Sequence, residues 1–326
     1  MSARDRCLVL RPGALGDAIL TLGAFELIRR EHPGLRMTLA AGPAGCRVGE
    51  LSGIFDATIA YESPELSGLF LADGEPDGVL ADTYALAAFG AGGAESVQRR
   101  ARDLGVPRAF SVDTWPAPGG GHVAEQLVRR TAEALGVDLE SEPLELVRRR
   151  PAAGDFSAPE GRFELPPPPV AADGSAWSAR PGPRVAVAPG AGSSAKCWPA
   201  PLFAETCRLL ARRGPTHFML VLGPAEMERP DIRAAFAGLD CSLSECWSVR
   251  DLAAVFAGCQ LYLGNDSGLS HLAAWAGAEG LAVFGPTDPE LWAPVGDVRA
   301  VAMAGLSPRK LAEAAAEILD WAGPRK

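Results

Sequence analysis

The chain has 326 residues, of which 48% are hydrophobic and 22% charged, and its formal net charge is −9. That length predicts two domains, each large enough for its own core, and the acidic balance excludes a nucleic-acid partner, which needs a basic footprint. No apolar run approaches the ~20 residues that span a bilayer, Cys7–Leu10 is too short for a signal core, and the seven scattered cysteines lack a C-x-x-C pair, so reduced thiols in a cytoplasmic protein are expected.

From the N-terminus, Arg6 to Leu10 reads as a buried strand ended by Arg11-Pro12-Gly13. The glycine turn Gly13-Ala14-Leu15-Gly16-Asp17 follows, then a predicted helix from about Ala18 to Arg30, stopped by His32-Pro33-Gly34. Met37 to Ala41 is a second strand, so this strand–turn–helix–strand unit predicts the start of a parallel α/β sheet. The glycines do not spell G-x-G-x-x-G, so no dinucleotide fingerprint is supported. Asp17 is either a helix cap or a carboxylate at the carboxyl edge of the first strand, where ligands of open α/β sheets sit. Between Val48 and Gln98 there is no lysine or arginine and there are nine acids. Weak strands are predicted at Ala57–Ala60 and Val79–Leu80, and helices at Glu95–Leu104 and His122–Leu135. Residues 151–183 are rich in proline and glycine, with four prolines at 166–169. The expected organisation is a domain over 1–165, a linker over 166–183 and a second domain over 184–326.

The second half restarts the α/β rhythm. Arg184–Ala188, His217–Leu222, Gln260–Leu263 and Leu281–Phe284 are predicted strands. Helices are predicted at Pro199–Arg213, Asp231–Ala237, Val249–Ala257, Leu272–Ala276 and Pro308–Trp321. Four loops leave carboxyl ends of these strands and so gather on one sheet edge. Gly190, Gly192, Ser193 and Ser194 offer close-approach N–H groups and hydroxyls. Lys196 adds a point charge, and it is one of only three lysines among 31 basic residues. Asn265, Asp266 and Ser267 are helix-capping types, and Gly268 with the helix start beside it is a ready anion site. With Thr287 these loops describe a pocket for a phosphorylated ligand, where Glu226 is either a ribose acceptor or a solvated carboxylate. His271 shares a helix face with Ser267. The helix dipole disfavours an imidazolium there unless a phosphate is bound, so His271 reads as a phosphate-side donor, not as the base of a serine nucleophile. No D-x-D and no G-x-x-x-x-G-K-[ST] occur, so neither a carboxylate-held metal nor a P-loop is expected.

Gly264-Asn265-Asp266-Ser267-Gly268-Leu269-Ser270-His271-Leu272-Ala273-Ala274, Val283-Phe284-Gly285-Pro286-Thr287-Asp288-Pro289 and Trp292-Ala293-Pro294 together resemble the C-terminal signature of glycosyltransferase family 9, which contains the ADP-heptose:lipopolysaccharide heptosyltransferases. Pro189-Gly190-Ala191 with Lys196-Cys197-Trp198-Pro199 is similar to the family's lysine–x–Trp–Pro loop, and Arg11–Asp17 to its first strand–turn. The resemblance implies a GT-B fold, two Rossmann-like domains facing each other across an interdomain cleft, and an inverting, metal-independent sugar transfer that needs no cofactor. It implies a nucleotide-sugar donor such as ADP-heptose and a glycan or lipid-linked acceptor, met at the cytoplasmic face of the inner membrane. Asp17 would then be the catalytic base, with Arg11, Gly13 and Gly16 beside it on the acceptor side. Gly190, Ser193, Ser194, Lys196, Glu226, Asp266, Ser267, Gly268, His271 and Thr287 would hold the donor. The lysine- and arginine-free stretch Val48–Gln98 departs from a family whose acceptors are anionic, leaving cations such as Arg11 or Arg99 for that role. A non-hydrolysing sugar-nucleotide epimerase and a catalytically silent nucleotide-sugar-binding protein are the other readings.

Overall fold

The computed structural model describes residues 4–71, 78–139, 146, 182–223, 226, 228–245 and 248–319. The chain divides into two compact units, Met1–Pro151 and Ala152–Lys326. Of the expected linker, residues 166–181 lie outside the described residues.

The first unit is a five-stranded sheet made of β1 (Arg6–Arg11), β2 (Arg36–Ala41), β3 (Ala57–Ala60), β4 (Thr83–Gly90) and β5 (Arg108–Asp113). All pairs are parallel and the order is β3-β2-β1-β4-β5. The helices α1 (Leu15–Leu20), α2 (Leu22–Glu31), α3 (Pro43–Ser52), α4 (Ala94–Asp103) and α5 (Val123–Leu135) connect or follow these strands. Phe25 stacks edge-on against both Phe55 and Phe89, at 5.1 and 5.5 Å between ring centres. This ties α2 to strand β4.

Two expectations need correction here. Val79–Leu80 is a 3₁₀ turn, not a strand, and the strand that pairs with β1 is Thr83–Gly90. Its run Ala85-Leu86-Ala87-Ala88 has little strand propensity, but a parallel strand covered on both faces is selected for burial and small volume. All four residues are at most 2% exposed. The single helix expected over Ala18–Arg30 is two helices, interrupted at Thr21. The Thr21 hydroxyl donates to the Asp17 carbonyl at 2.6 Å, the kind of back-bonding that bends helices.

The second unit has six parallel strands: β6 (Arg184–Ala188), β7 (His217–Leu222), β8 (Cys241–Glu245), β9 (Leu261–Asn265), β10 (Gly280–Phe284) and β11 (Val298–Ala302). Their order, β11-β10-β9-β6-β7-β8, renumbered within the unit and read from β8, is 3-2-1-4-5-6. That is the Rossmann order, and the first unit carries its 3-2-1-4-5 part. Helices α6 (Ala200–Ala211), α7 (Pro230–Ala235), α8 (Val249–Gly258), α9 (Gly268–Trp275), α10 (Pro289–Trp292) and α11 (Pro308–Ile318) complete the unit. Phe203, Cys207, Leu210, Phe218 and Leu311 form part of a continuous core between sheet and helices. Serine 307 caps α11 as expected, accepting from the Lys310 N–H. Helix α9 begins at Gly268, four residues before its expected start at Leu272, and β9 runs on through Gly264 and Asn265, so only Asp266 and Ser267 connect them. Among the described residues no helix is long and apolar enough to cross a membrane.

Candidate active site

In an open parallel sheet, ligands bind at the carboxyl ends of the strands where the chain reverses its direction of travel. Each unit has one such switch point, between β1 and β4 in the first and between β6 and β9 in the second. The candidate residues lie at both.

At the first, Asp17 sits in the opening turn of α1. Its Oδ2 accepts from the Ala14 N–H at 2.8 Å and its Oδ1 lies 3.4 Å from Arg11 Nη2. The carboxylate thus does cap the helix, from its third position, and its side chain is still 36% exposed. Arg11 is 7% exposed. Its Nε donates to Thr21 Oγ1 at 2.9 Å and its Nη1 to the Pro12 carbonyl at 2.8 Å. Burial pulls the Arg11 pKa below its ordinary value, and the Asp17 charge opposes that pull. Arg11 therefore holds Asp17 in place and does not face solvent as a free acceptor-binding cation. Gly13 has φ +140° and a Cβ there would press on the Asp17 carboxylate, so the turn requires glycine. Gly16 is buried within α1.

At the second switch point, Lys196 Nζ lies 2.7 Å from Asp266 Oδ2. The Asp266 side chain is 5% exposed and that of Lys196 34%, so the ammonium lies at the mouth of the site above a buried carboxylate. Asn265 does not cap the helix. As the last residue of β9 it is fully buried, its Oδ1 accepting from Trp198 N–H at 2.9 Å and its Nδ2 donating to Pro189 O at 2.7 Å. One amide side chain therefore staples both ends of the Gly190–Trp198 loop to the neighbouring strand. Ser267 occupies the N-cap position of α9 without a capping side-chain bond. Behind it, Ser270 Oγ donates to Asn265 O at 2.6 Å and meets the Tyr262 hydroxyl at 3.1 Å. Complete burial raises the Tyr262 phenol well above its ordinary pKa, and side chains on Gly264 or Gly280 would collide with this tyrosine.

The remaining loops close around the same edge. Glu226 Oε2 accepts from Gly223 N–H at 3.0 Å, and a Cβ on Gly190 would run into its carboxylate. The exits of β6 and β7 thus meet through Glu226. A Cβ on Gly285 would lie 3.3 Å from the Ala195 carbonyl, which places the Gly285–Asp288 exit against the lysine loop. Thr287 there is half-buried, Ser193 and Ser194 are exposed, and His271 is buried in the first turns of α9. Burial raises the Cys197 thiol, which makes it a poor nucleophile. Gly268 opens α9, whose first N–H groups lack intrahelical acceptors, beside the Lys196 charge.

Asn265, Tyr262, Ser270 and Thr21 escaped the sequence reading as positioning residues. Asn265 stood inside the G-N-D-S-G run, but its partners are 67 and 76 residues away. Thr21 carried no signal at all.

Solved structures share this architecture. A glycosyl transferase family 9 protein from Veillonella parvula superposes with a TM-score of 0.68 at 19% identity, covering 98% of each chain. The ADP-heptose lps heptosyltransferase II of E. coli gives 0.67 at 15% identity, covering 96% of this chain and 98% of the other. The E. coli heptosyltransferase WaaC with ADP gives 0.64 at 20% identity, covering 97% and 99%. No curated protein sequence matches significantly. Residues 111–316, more than half of the chain, match "Glycosyltransferase family 9 (heptosyltransferase)". The protein is a glycosyltransferase and belongs to family 9.

Proposed function

We propose that the protein transfers a heptose-like sugar, with inversion and without a metal, from a nucleoside-diphosphate donor to a hydroxyl of a glycan or lipopolysaccharide-type acceptor. The observation that carries this reading is the placement of one exposed carboxylate and one accessible ammonium, each at the switch point of its own sheet. Asp17, aimed by Arg11 and the Ala14 N–H, takes the proton from the acceptor hydroxyl as that oxygen attacks the anomeric carbon. Lys196 and the first turn of α9 receive the charge that grows on the departing diphosphate, a preorganised electrostatic role. Glu226, at the joined exits of β6 and β7, accepts from the ribose hydroxyls. ADP is the nucleotide favoured, because the related WaaC structure contains ADP. The acceptor stands in the first unit, and membrane-linked acceptors bring the enzyme to the membrane surface only transiently.

The test is a transfer assay with ADP-heptose, read by NMR for both product and anomeric configuration. An inverted glycoside formed in the presence of EDTA supports the reading, and a retained configuration or abolition by EDTA overturns it. ADP-heptose incubated alone must stay unchanged; its isomerisation would mark an epimerase instead.

A further inference from the structure

The first unit has a cavity of about 510 Å³ at the carboxyl edge of β1 and β4. Its floor is Pro12 and the Gly90–Gly93 turn, and its outer wall is Tyr61, Phe70 and Leu71. Pro12 stands between Arg11, which pairs with the Asp17 carboxylate, and Gly13, on which a Cβ would meet that carboxylate, so one lining residue joins the cavity to the turn that carries Asp17. Phe70 is 49% exposed and Leu71 59%, and Phe70 packs on Tyr61 at 5.6 Å between ring centres. On the other side of the same glycine turn stands Trp115, 68% exposed. Among the described residues, these are three of the four large apolar side chains left exposed. Such a concentration at one edge of one sheet marks a binding surface, whereas single scattered apolar groups would not.

The charge pattern of the cavity is as informative as its apolar wall. Its lining includes one charged side chain, Arg100, and the Nε of that guanidinium donates to the Gly68 carbonyl at 3.0 Å. The Val48–Gln98 stretch, which supplies most of the lining, contains no lysine or arginine. Phosphate or carboxylate groups brought into this space would meet Arg100 as the one cation of its lining and an apolar wall elsewhere, which makes their desolvation costly. An apolar group, by contrast, gains by covering Phe70 and Leu71.

We infer that the reacting end of the acceptor is uncharged and carries an apolar group, an alkyl or acyl chain, that lodges between the Gly90–Gly93 turn and the Tyr61–Phe70–Leu71 wall. This rests on the reading that Asp17 is the base and the first unit the acceptor side. It goes further in that a phosphorylated or carboxylated sugar is rejected at this position.

The experiment uses the full chain with two probes, n-octyl β-D-glucopyranoside below its micelle concentration and glucose 6-phosphate, each followed by saturation-transfer NMR with saturating ADP present, so that the phosphate site proposed at Lys196 is already filled. The octyl protons should receive saturation from the wild type, and glucose 6-phosphate should receive none. Phe70→Ser with Leu71→Ser should weaken octyl glucoside binding about ten-fold, while Leu243→Ser, at the exposed apolar site of the second unit, should leave it unchanged. Because Phe70 and Leu71 are exposed, their replacement spares the core, and an unchanged melting temperature verifies this. Octyl binding that is absent, or that survives the double substitution, overturns the inference. So does glucose 6-phosphate binding. A separate transfer assay of Asp17→Asn keeps the two readings apart: a wild-type rate defeats Asp17 as the base and leaves octyl glucoside binding in the cavity standing.

Discussion

The two switch points are built on the same strand order but carry opposite charge in opposite ways. In the first unit the exposed group is a carboxylate, and a buried arginine with a backbone N–H holds it from behind. In the second the exposed group is an ammonium, and a buried aspartate holds it. Each partner neutralises part of the charge it positions and fixes its direction. The inversion of sign matches what the proposed reaction asks of its two ends. A fixed carboxylate can receive a proton, whereas an ammonium beside a helix start can receive a diphosphate.

That contrast breaks most completely at Asp17. Asp17→Asn keeps an oxygen for the Ala14 N–H and removes the base, so kcat should fall about 10²–10⁴-fold. ADP affinity measured by calorimetry should stay within about two-fold, because nothing in the second unit has changed. A wild-type rate in this variant would remove Asp17 from catalysis.

The mirror-image change sharpens the other edge. Lys196→Met should weaken ADP binding by about ten- to a hundred-fold, the scale of a lost charge-assisted contact. It should also lower the melting temperature, since it strands Asp266 at 5% exposure. Combining it with Asp266→Asn should restore the melting temperature but not the affinity. If both recover together, the pair is structural only.

Smaller effects test the scaffolding. Asn265→Ala leaves the Pro189 carbonyl and the Trp198 N–H without their partner, at about 1–3 kcal/mol for each unsatisfied group. The transition of the second unit should fall by several degrees on heating, followed by circular dichroism. Gly190→Ala displaces the Glu226 carboxylate. It should raise the KM for donor by about three-fold with kcat nearly unchanged, as expected for loss of uniform binding. An unchanged KM would leave Glu226 a loop staple and no more.

Much of this edge chemistry was legible in the residues. Short apolar runs gave β1, β2, β6, β7 and β10, because parallel strands buried on both faces read as continuous hydrophobic stretches. Glycine turns with Asp17, Lys196 and Asp266 gave the candidate residues, since few residue types tolerate those turns or supply those charges. Strand β4 was hidden because its alanines speak for helix and only its neighbours make it a strand. The short strands β5, β8 and β11 include polar or charged positions and drew no expectation. Asn265 was legible as a polar residue near a helix start. Its actual work, joining a loop nearly 70 residues away, is a tertiary fact that no local pattern encodes. Arg11 was expected as an acceptor-side cation, but it is 7% exposed and its guanidinium is committed to Thr21, Pro12 and Asp17, partners that the local pattern does not reveal.

Tyr262 fills the volume that side chains on Gly264 and Gly280 would need, and its hydroxyl ends under the start of α9. The ground beneath the Lys196 loop is therefore a close-packed solid with very little compressibility. Strand end, helix start and loop cannot recede or tilt independently of one another. If the proposed leaving group departs over this ground, the charge that grows on it meets dipoles whose directions were set when the chain folded.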